Sequence, residues 1–357
     1  MSVSKLAEEL AKAGVYTEVY ATTANGGDEL PVLANEPQMV DGIKVTYFKR
    51  LTKDHTHFSP ALLLRLWKNC RSFDIIHINA WWNLVSVFSC LIALMRGVTV
   101  VVSPRGTLSG YSFKNRNSGI KQLIHWLIGK PLLNRCHVHV TSTREEDGLA
   151  EIIFPQSFVT VPNFVKLPPG KFTGRKSGLI LKLIFLSRIE EKKGLDLLIK
   201  ALPHVTIPYH LTIAGDGETG YVNSLKQLAK ENSVTEYITW AGFRSDDKFR
   251  LLYEHDLLIL PSHDENFGNV VIESLSQGTA VLLSPFVGLQ QYVAENSLGW
   301  KCSMGPTDIA DMINIIYYKQ DELERIRQVA PEIIRSDFDE KKLAGDYIEV
   351  YESIIGD

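Results

Sequence analysis

Two glutamates stand eight positions apart in the stretch DENFGNVVIE, directly after the apolar run DLLILPS. The apolar run predicts a buried strand, and the glycine between the acids, Gly268, predicts a tight turn into a helix. Glu265 then precedes that helix, and Glu273 lies about one turn inside it. One carboxylate can accept hydrogen bonds from two neighbouring hydroxyls, so the two acids could bind two separate hydroxyl pairs. The alternative is that both acids only favour the helix dipole.

The turn between the two glutamates also offers backbone donors. The first amides of a helix have no partner within the helix, and here they belong to Phe267, Gly268 and Asn269. Because glycine has no side chain, a ligand can approach this backbone closely. Hydroxyl-binding acids beside free amides suit a sugar nucleotide, which carries one set of hydroxyls on its ribose and another on its hexose.

A second candidate loop lies in FLSRIEEKKGLDLLIKAL, which reads as a strand, a short loop and a helix that opens near Gly194. The loop carries Arg188 and Lys193. Cations at a helix N-terminus oppose the helix dipole unless an anion neutralises both, and a diphosphate would also meet the free amides there. The alternative is a solvated surface turn.

The stretch IAGDGETG matches the dinucleotide-binding pattern of spaced glycines, which include Gly215 and Gly217. Its strand is the second of its series, and the next strand, YITWAGF, ends without the acid that would hold a ribose in that scheme. We therefore reject a dehydrogenase. The glycines predict a tight strand-to-helix turn near the ligand.

The composition excludes several classes of protein. Hydrophobic residues make up 45 % of the 357 residues, charged residues 22 %, and the net charge is -3, which fits neither a disordered chain nor a globally basic nucleic-acid binder. The first residues do not resemble a signal peptide, and no apolar run is long enough to span a bilayer. We expect a cytoplasmic protein with four unbridged, buried cysteines: Cys70, Cys90, Cys136 and Cys302.

One region departs from this near-neutral balance. Between Asp74 and Glu145 there is no acidic residue but eight lysines and arginines. Within it, KNRNSGIKQLIHWLIGKPLLNR mixes cations with apolar residues at helical spacing. This could be a membrane-surface helix or an ordinary amphipathic helix packed on its own sheet.

Short β-branched runs alternate with helical patterns along the chain, which predicts parallel sheets covered by helices. The runs fall into two series on either side of a segment rich in proline, glycine and lysine. We predict an α/β protein with domains at 1–164 and 178–335, a linker at 165–177 and a last helix at 336–357 that packs back on the first domain. Two doubly wound domains would share a cleft at the carboxyl ends of their strands.

Several motifs, in order along the chain, carry a family resemblance: FDIIHINAWWN, VVSPRGTLSGYSFK, SRIEEKKG, IAGDGE, WAGF and ENFGNVVIESLSQGTAVL. Together they resemble the retaining glycosyltransferases of family 4, particularly members that build bacterial polysaccharides. The resemblance implies the GT-B fold, two Rossmann-like domains facing across a cleft. Such proteins begin with a strand, whereas this chain opens in a helical pattern, SKLAEELAKAG. We therefore expect the first strand of the N-terminal domain to be missing.

The resemblance also implies residue roles. Arg188 and Lys193 would hold the donor diphosphate and stabilise it as it leaves, Glu273 would bind the ribose, and Glu265 would grip the transferred sugar with the amides of the turn. A base-binding loop and a set of first-domain contacts would complete the site: Gly242, Phe243 and Arg244, and His77, Asn79 and Arg105.

The resemblance further implies retention without a metal or other cofactor. The only Asp-x-Asp sequence, Asp337 to Asp339, precedes the last helix, where capping is its expected role. We thus expect a hexosyltransferase that uses a nucleoside-diphosphate sugar, with uridine favoured as the nucleoside. The acceptor would be a glycan or lipid-linked chain in polysaccharide synthesis. The basic first domain would contact the cytoplasmic face of the membrane, where such an acceptor lies. The alternatives are a nucleotide-sugar 2-epimerase and a non-catalytic nucleotide-binding shell.

Overall fold

The computed structural model describes residues 2–52, 54, 56–108, 125–168, 170 and 178–356. The chain forms two compact units: unit 1 is Met1–Phe164 with Glu340–Asp357, and unit 2 is Val165–Asp339. Both are built from parallel strands connected by helices, which confirms the predicted α/β class. Much of the predicted linker, residue 169 and residues 171–177, lies outside the described residues.

The first part of unit 1 is a helix followed by a small sheet. Its elements are α1 (Ser2–Lys12), β1 (Glu18–Thr22), β2 (Ala24–Asn25), β3 (Asp28–Glu29), β4 (Pro37–Val40) and β5 (Ile43–Phe48). Strand β1 pairs in parallel with β5, which pairs antiparallel with β4. The helix buries Leu6, Ala7 and Leu10, because residues three and four apart share one helix face.

The second part of unit 1 holds a four-stranded parallel sheet in the order β6-β7-β8-β9. Its elements are α2 (Pro60–Asn69), β6 (Ile75–Asn79), α3 (Leu84–Met95), β7 (Thr99–Ser103), a π-helix (His125–Gly129), α4 (Lys130–Leu133), β8 (His137–Val140), α5 (Thr143–Ala150) and β9 (Ser157–Thr160). The first half of the predicted basic helix, up to residue 124, lies outside the described residues, and the second half contains the π-helix and α4.

The sheet of unit 1 is in two pieces. In the described ranges β1 pairs only with β5, and β6 pairs only with β7. Side chains connect the two pieces, since Tyr20 of β1 and Ile76 of β6 pack on one cluster with Leu66 of α2. Apolar packing thus replaces backbone pairing between these strands.

Unit 2 contains a six-stranded parallel sheet in the order β12-β11-β10-β13-β14-β15. Its elements are β10 (Leu181–Leu186), α6 (Leu195–Ala201), β11 (Tyr209–Ala214), α7 (Thr219–Glu231), β12 (Ile238–Gly242), α8 (Lys248–Tyr253), β13 (Leu257–Leu260), α9 (Asn269–Leu275), β14 (Ala280–Leu283), α10 (Gln290–Glu295), β15 (Gly299–Lys301), α11 (Pro306–Tyr317) and α12 (Gln320–Asp337). The central strands are buried on both faces, which explains their continuous apolar runs.

The last helix, α13 (Glu340–Gly356), returns to unit 1 and packs beside α1. Its start differs from the predicted residue 336, because α12 continues to Asp337. The break falls at Phe338, whose buried ring packs edge-on against Phe267 and Tyr292 in unit 2. The preceding helix is thereby tied to unit 2, and the new helix begins two residues later. None of the described helices is long and apolar enough to cross a membrane.

A chain of hydrogen bonds attaches α13 to the four-stranded sheet. Tyr351 reaches Nδ1 of His77 at 2.5 Å, Nε2 of His77 reaches Ser103 at 2.6 Å, and Ser103 reaches Nδ1 of His139 at 2.7 Å. Nε2 of His139 lies 2.9 Å from both the Val161 carbonyl and the Tyr347 hydroxyl. If each hydroxyl donates to an Nδ1 and each Nε2 donates onward, both imidazoles are neutral.

Burial lowers the pKa of His139 to about 4, and burial with the charges of His139 and Arg105 lowers the pKa of His77 well below its usual range. The unfolded chain binds these protons near pH 6.5, so it binds more protons than the fold between that pH and about 4. The contribution of these two neutral histidines to the free energy of unfolding is therefore complete above the unfolded pKa and is lost as the pH falls. Protonation would also place a donor nitrogen against a donor hydroxyl.

We expect the urea midpoint of the wild type to fall between pH 7.5 and pH 5, where the unfolded histidines take up their protons (unfolded pKa ~6.5). His139→Gln should lower the midpoint at pH 7.5 but reduce its dependence on pH. His204→Gln, at an exposed histidine of unit 2, is the control and should keep the wild-type dependence. An equal pH dependence in wild type and His139→Gln would contradict this account.

Candidate functional site

The loop after β10 is held against the end of β13 by a glycine. Gly194 follows a 3₁₀ turn (Glu191–Lys193) with a φ of 68°. A Cβ at Gly194 would lie 2.0 Å from the carbonyl oxygen of Pro261, so only glycine permits this close approach. The turn therefore delivers Lys193 to the segment that carries Glu265.

Lys193 and Glu265 form an ion pair through Nζ and Oε2. The lysine side chain is 8 % exposed and the glutamate side chain 19 % exposed. Removing one member of a buried pair leaves an uncompensated charge and costs about 3–5 kcal/mol. The two residues lie on different loops, so this pair fixes the position of a cation and an acid at the carboxyl edge of the sheet.

The turn before α9 adds backbone donors to this pair. Gly268 has a φ of 94°, and a Cβ there would come within 3.2 Å of Val287 and 3.3 Å of Val271. Phe267 anchors the turn, since its side chain is 2 % exposed. Within the described ranges, the amides of Phe267, Gly268 and Asn269 donate no hydrogen bond. These amides lie beside Glu265, whose Cγ is 3.5 Å from the Cβ position of Gly268.

Glu273 lies one turn into α9 and is paired with a residue that the sequence analysis missed. Nζ of Lys248, at the start of α8, donates to Oε1 of Glu273 at 2.7 Å. Burial raises the pKa of Glu273, and Lys248 opposes that rise. The carboxylate is thus held charged in a partly dry position by one lysine, with its other oxygen left as an acceptor.

The glycines of IAGDGETG have a packing reason. A Cβ at Gly215 would lie 1.8 Å from the Ser187 carbonyl oxygen, and one at Gly217 would lie 2.2 Å from that of Ile189. The helix start that a dinucleotide phosphate would need is already capped, because the Glu218 carboxylate accepts from the amides of Gly220 and Tyr221. These amides are therefore not available to bind a dinucleotide phosphate, as a dehydrogenase would require. Both glycines press their loop against the one that carries Arg188.

The remaining residues of unit 2 that were predicted to bind the sugar donor are on its surface. Phe243 is 73 % exposed, and Arg244 pairs with Asp247 at 3.0 Å. Gly242 accepts from the amide of Gly215 at 2.9 Å, which joins the loops after β11 and β12. Arg188 is exposed and pairs with Glu190 at 2.5 Å. Arg188 is therefore not part of the Lys193–Glu265 ion pair in this structure.

Arg105 follows the end of β7 in unit 1 and is fixed by two asparagines. Its backbone is left-handed, with a φ of 53°. Its Nε donates to Asn79 at 2.9 Å and its Nη1 donates to Asn163 at 2.8 Å. Asn79 and Arg105 are thus brought together at the carboxyl edge of the sheet, where a ligand of this unit would lie.

His77 has partners within unit 1. Both of its ring nitrogens are engaged, by Tyr351 and by Ser103. In this structure it attaches α13 to the sheet. It lies in the middle of β6, where its side chain meets the returning helix, while Asn79 is at the strand end.

The Asp-x-Asp sequence is divided between two elements. Asp337 is the last residue of α12 and accepts from the Tyr292 hydroxyl at 2.8 Å. Asp339 directly precedes α13, the position of a helix cap. Across the described residues, no cluster of three histidine, cysteine or acidic side chains could hold a metal ion.

A groove of about 1010 Å³ lies elsewhere in unit 2. Its lining includes Lys182, Tyr209 and His255, at the starts of strands β10, β11 and β13. The residues predicted to bind the sugar donor follow the carboxyl ends of the strands. The groove is therefore at the opposite edge of the sheet, and none of these residues lines it.

Comparison with known proteins identifies both halves of the chain. A family model described as Glycosyltransferase Family 4 matches residues 1–167, and one described as Glycosyl transferases group 1 matches residues 176–332. A glycogen synthase of Mycobacterium tuberculosis is 26 % identical over 84 % of this chain and 74 % of its own length. The lipopolysaccharide core biosynthesis glycosyltransferase LpsE of Rhizobium meliloti is 27 % identical over 47 % of this chain and 48 % of its own.

Solved structures show the same fold. Sucrose-phosphate synthase from Thermosynechococcus elongatus matches with a TM-score of 0.74 and 16 % identity, covering 99 % of this chain and 92 % of that one. Anabaena Alr3699/HepE in complex with UDP and glucose matches with a TM-score of 0.71 and 16 % identity, covering 94 % and 99 %. These similarities confirm the GT-B fold and the resemblance stated from the motifs. The chain belongs to the family 4 glycosyltransferases and is a glycosyltransferase of glycan synthesis.

Proposed function

We propose that this glycosyltransferase moves a hexose from a UDP-sugar to a glycan or lipid-linked acceptor, with retention of anomeric configuration and without a metal ion. The observation that carries the proposal is the buried Lys193–Glu265 pair beside the free amides of Phe267, Gly268 and Asn269. A cation, an acid and a row of amide donors at one sheet edge match the three parts of a sugar diphosphate: phosphate, hydroxyls and departing oxygen.

The ion pair explains how such a donor would be bound. Without a ligand, Glu265 compensates the charge of Lys193. A diphosphate arriving at Lys193 would supply that compensation and free an oxygen of Glu265 to accept from a sugar hydroxyl. Binding then exchanges one set of charge-assisted hydrogen bonds for another, so the lysine is not left unpaired at any stage.

The same cation would act in the transfer step. As the glycosidic bond to the diphosphate breaks, negative charge grows on the departing phosphate oxygen, which Lys193 and the amides would stabilise. That oxygen would take the proton of the acceptor hydroxyl, on the face from which the diphosphate leaves. Fixed protein cations would thus perform the charge neutralisation that a metal performs elsewhere. Arg188 would add a second cation once its side chain turns from Glu190.

Glu273 would bind the ribose of the donor. Its carboxylate is held by Lys248 and is largely shielded from water, which suits a pair of neighbouring hydroxyls. Uridine is favoured because Alr3699/HepE, a protein of the same fold, has been solved with UDP and with UDP-glucose. The loop of Gly242, Phe243 and Arg244 would meet the base.

The acceptor would be engaged by unit 1. Arg105, fixed by Asn79 and Asn163, offers a positive group for an acceptor phosphate or hydroxyl. The acid-free stretch between Asp74 and Glu145 makes this unit locally basic, which suits an acceptor at the cytoplasmic surface of a membrane. The described part of the predicted basic helix exposes Trp126, Leu127 and Ile128.

A transfer assay tests the proposal as a whole. We expect the full chain, incubated with a panel of UDP-hexoses and glycan or lipid-linked acceptors in EDTA, to give a glycosylated acceptor whose new linkage keeps the donor configuration by NMR. A donor epimer of unchanged mass without acceptor would instead identify a 2-epimerase. Nucleotide binding without turnover on any acceptor would identify a non-catalytic shell.

Lys193→Ala should reduce kcat more than it weakens donor binding. Its charge is needed most when the diphosphate leaves, and loss of one such stabilising group costs about 10²–10³-fold in kcat. Steady-state kinetics and calorimetry with UDP separate the two quantities. Lys192→Ala is the matched control and should retain activity. Equal losses in kcat and binding would argue against a role at the leaving group.

Glu273→Ala should weaken binding of the donor nucleotide by about 1–3 kcal/mol, because the ribose hydroxyls lose their acceptor. Burial raises the pKa of Glu273, and only the carboxylate accepts two hydroxyls, so wild-type affinity should fall as the medium is acidified. Calorimetry with UDP against pH measures both effects. Glu254→Ala, at an exposed glutamate just after α8, is the control. An unchanged UDP affinity in Glu273→Ala would remove the ribose assignment.

A further inference from the structure

Helix α3 buries both of its serines and exposes a stripe of large apolar side chains. Ser86 and Ser89 are buried, whereas four side chains at a spacing of three and four residues are each more than a third exposed: Leu84 38 %, Phe88 38 %, Leu91 37 % and Met95 63 %. The helix LVSVFSCLIALM has no charged residue. An ordinary surface helix shows the reverse pattern, so this outer stripe is unusual for a surface that faces water.

Helix α2 lies alongside α3 and widens the apolar surface. Phe58, just before α2, packs edge-on against Phe88 at 6.0 Å, and Arg96, just after α3, lies over Trp67 near the end of α2 at 5.1 Å. The two helices therefore run side by side in the same direction. Together they present what we term the α2–α3 face, which comprises Leu64, Trp67, Leu84, Phe88, Leu91 and Met95.

The α2–α3 face has a positive rim at the end where the two helices finish. Lys68 and Arg71 are exposed, and Arg71 donates to the carbonyl of Arg96 at 3.0 Å. Between Asp54 and Glu145 the only acidic residue is Asp74. Positive charge beside an uncharged apolar stripe is complementary to a surface that is apolar beneath and negatively charged at its border.

We propose that the α2–α3 face docks the protein on a bilayer that contains anionic phospholipid, with the apolar side chains entering the headgroup boundary and the rim cations contacting lipid phosphates. With 12 residues, α3 is too short to span a bilayer, which takes about 20. It therefore lies on the surface. This inference rests on the membrane contact of the proposed function and assigns that contact to particular residues, but it does not depend on sugar transfer.

A second copy of the chain fits this face less well. A two-fold interface would place the same patch on both partners, so neither copy would bring acidic groups to the rim cations of the other. The rim charges would then remain uncompensated, which disfavours association. An anionic lipid surface supplies the opposite charge.

Vesicle sedimentation tests the proposal with the full chain. We expect binding to phosphatidylcholine vesicles with about 30 % phosphatidylglycerol and little binding to phosphatidylcholine alone, since anionic lipid attracts basic surface residues. Leu91→Glu with Met95→Glu should weaken binding at least tenfold. The control is Ile315→Glu with Tyr318→Glu, an equal charge change at exposed residues of unit 2, and it should bind as the wild type does.

Two further measurements separate the outcomes. UDP affinity and the thermal midpoint should be the same in all three proteins, so that a loss of vesicle binding reflects the face and not the fold or the donor site. Wild-type binding by the α3 variant would overturn the proposal, as would absent binding by the wild type. A wild-type dimer in sedimentation velocity that the α3 variant makes monomeric, without vesicle binding, would identify a self-association surface instead.

Discussion

The site depends on the burial of one lysine. An ammonium that water hardly reaches must have a partner, and the Lys193–Glu265 pair supplies it across two loops that only the fold brings together. The close approach of Gly194 to Pro261 and the left-handed turn at Gly268 both serve this arrangement. The glycines thus set the backbone distances, and the ion pair then sets the positions of the charges. The result is a prearranged cation whose partner can be exchanged.

A second lysine–glutamate ion pair likewise connects two neighbouring elements of unit 2. Lys248 and Glu273 connect α8 and α9, as Lys193 and Glu265 connect the loops before α6 and α9. In each pair one carboxylate oxygen accepts from the lysine, which leaves the second oxygen for a ligand. Both carboxylates are mostly shielded from water, and in each pair the lysine supplies the opposite charge.

The sequence predicted what is local and missed what is distant. Continuous apolar runs located β10 and β13, because strands buried on both faces need no alternation. Glycine spacing located the turns. The partners of the acids and of His77 could not be found in this way: Lys248 is 25 positions from Glu273, and Tyr351 is 274 positions from His77. Such contacts follow from helix packing, and no spacing rule reports them.

The return of α13 to unit 1 has a consequence for biosynthesis. His77 and His139 of the four-stranded sheet each bind a tyrosine hydroxyl of the last helix, Tyr351 and Tyr347, while unit 2 is continuous from Val165 to Asp339. On the ribosome, unit 2 has all its residues before unit 1 does. Until α13 is synthesised, the earlier part of unit 1 has its histidines and apolar strand faces uncovered. During this interval we expect the nascent protein to be most prone to aggregation and to chaperone binding.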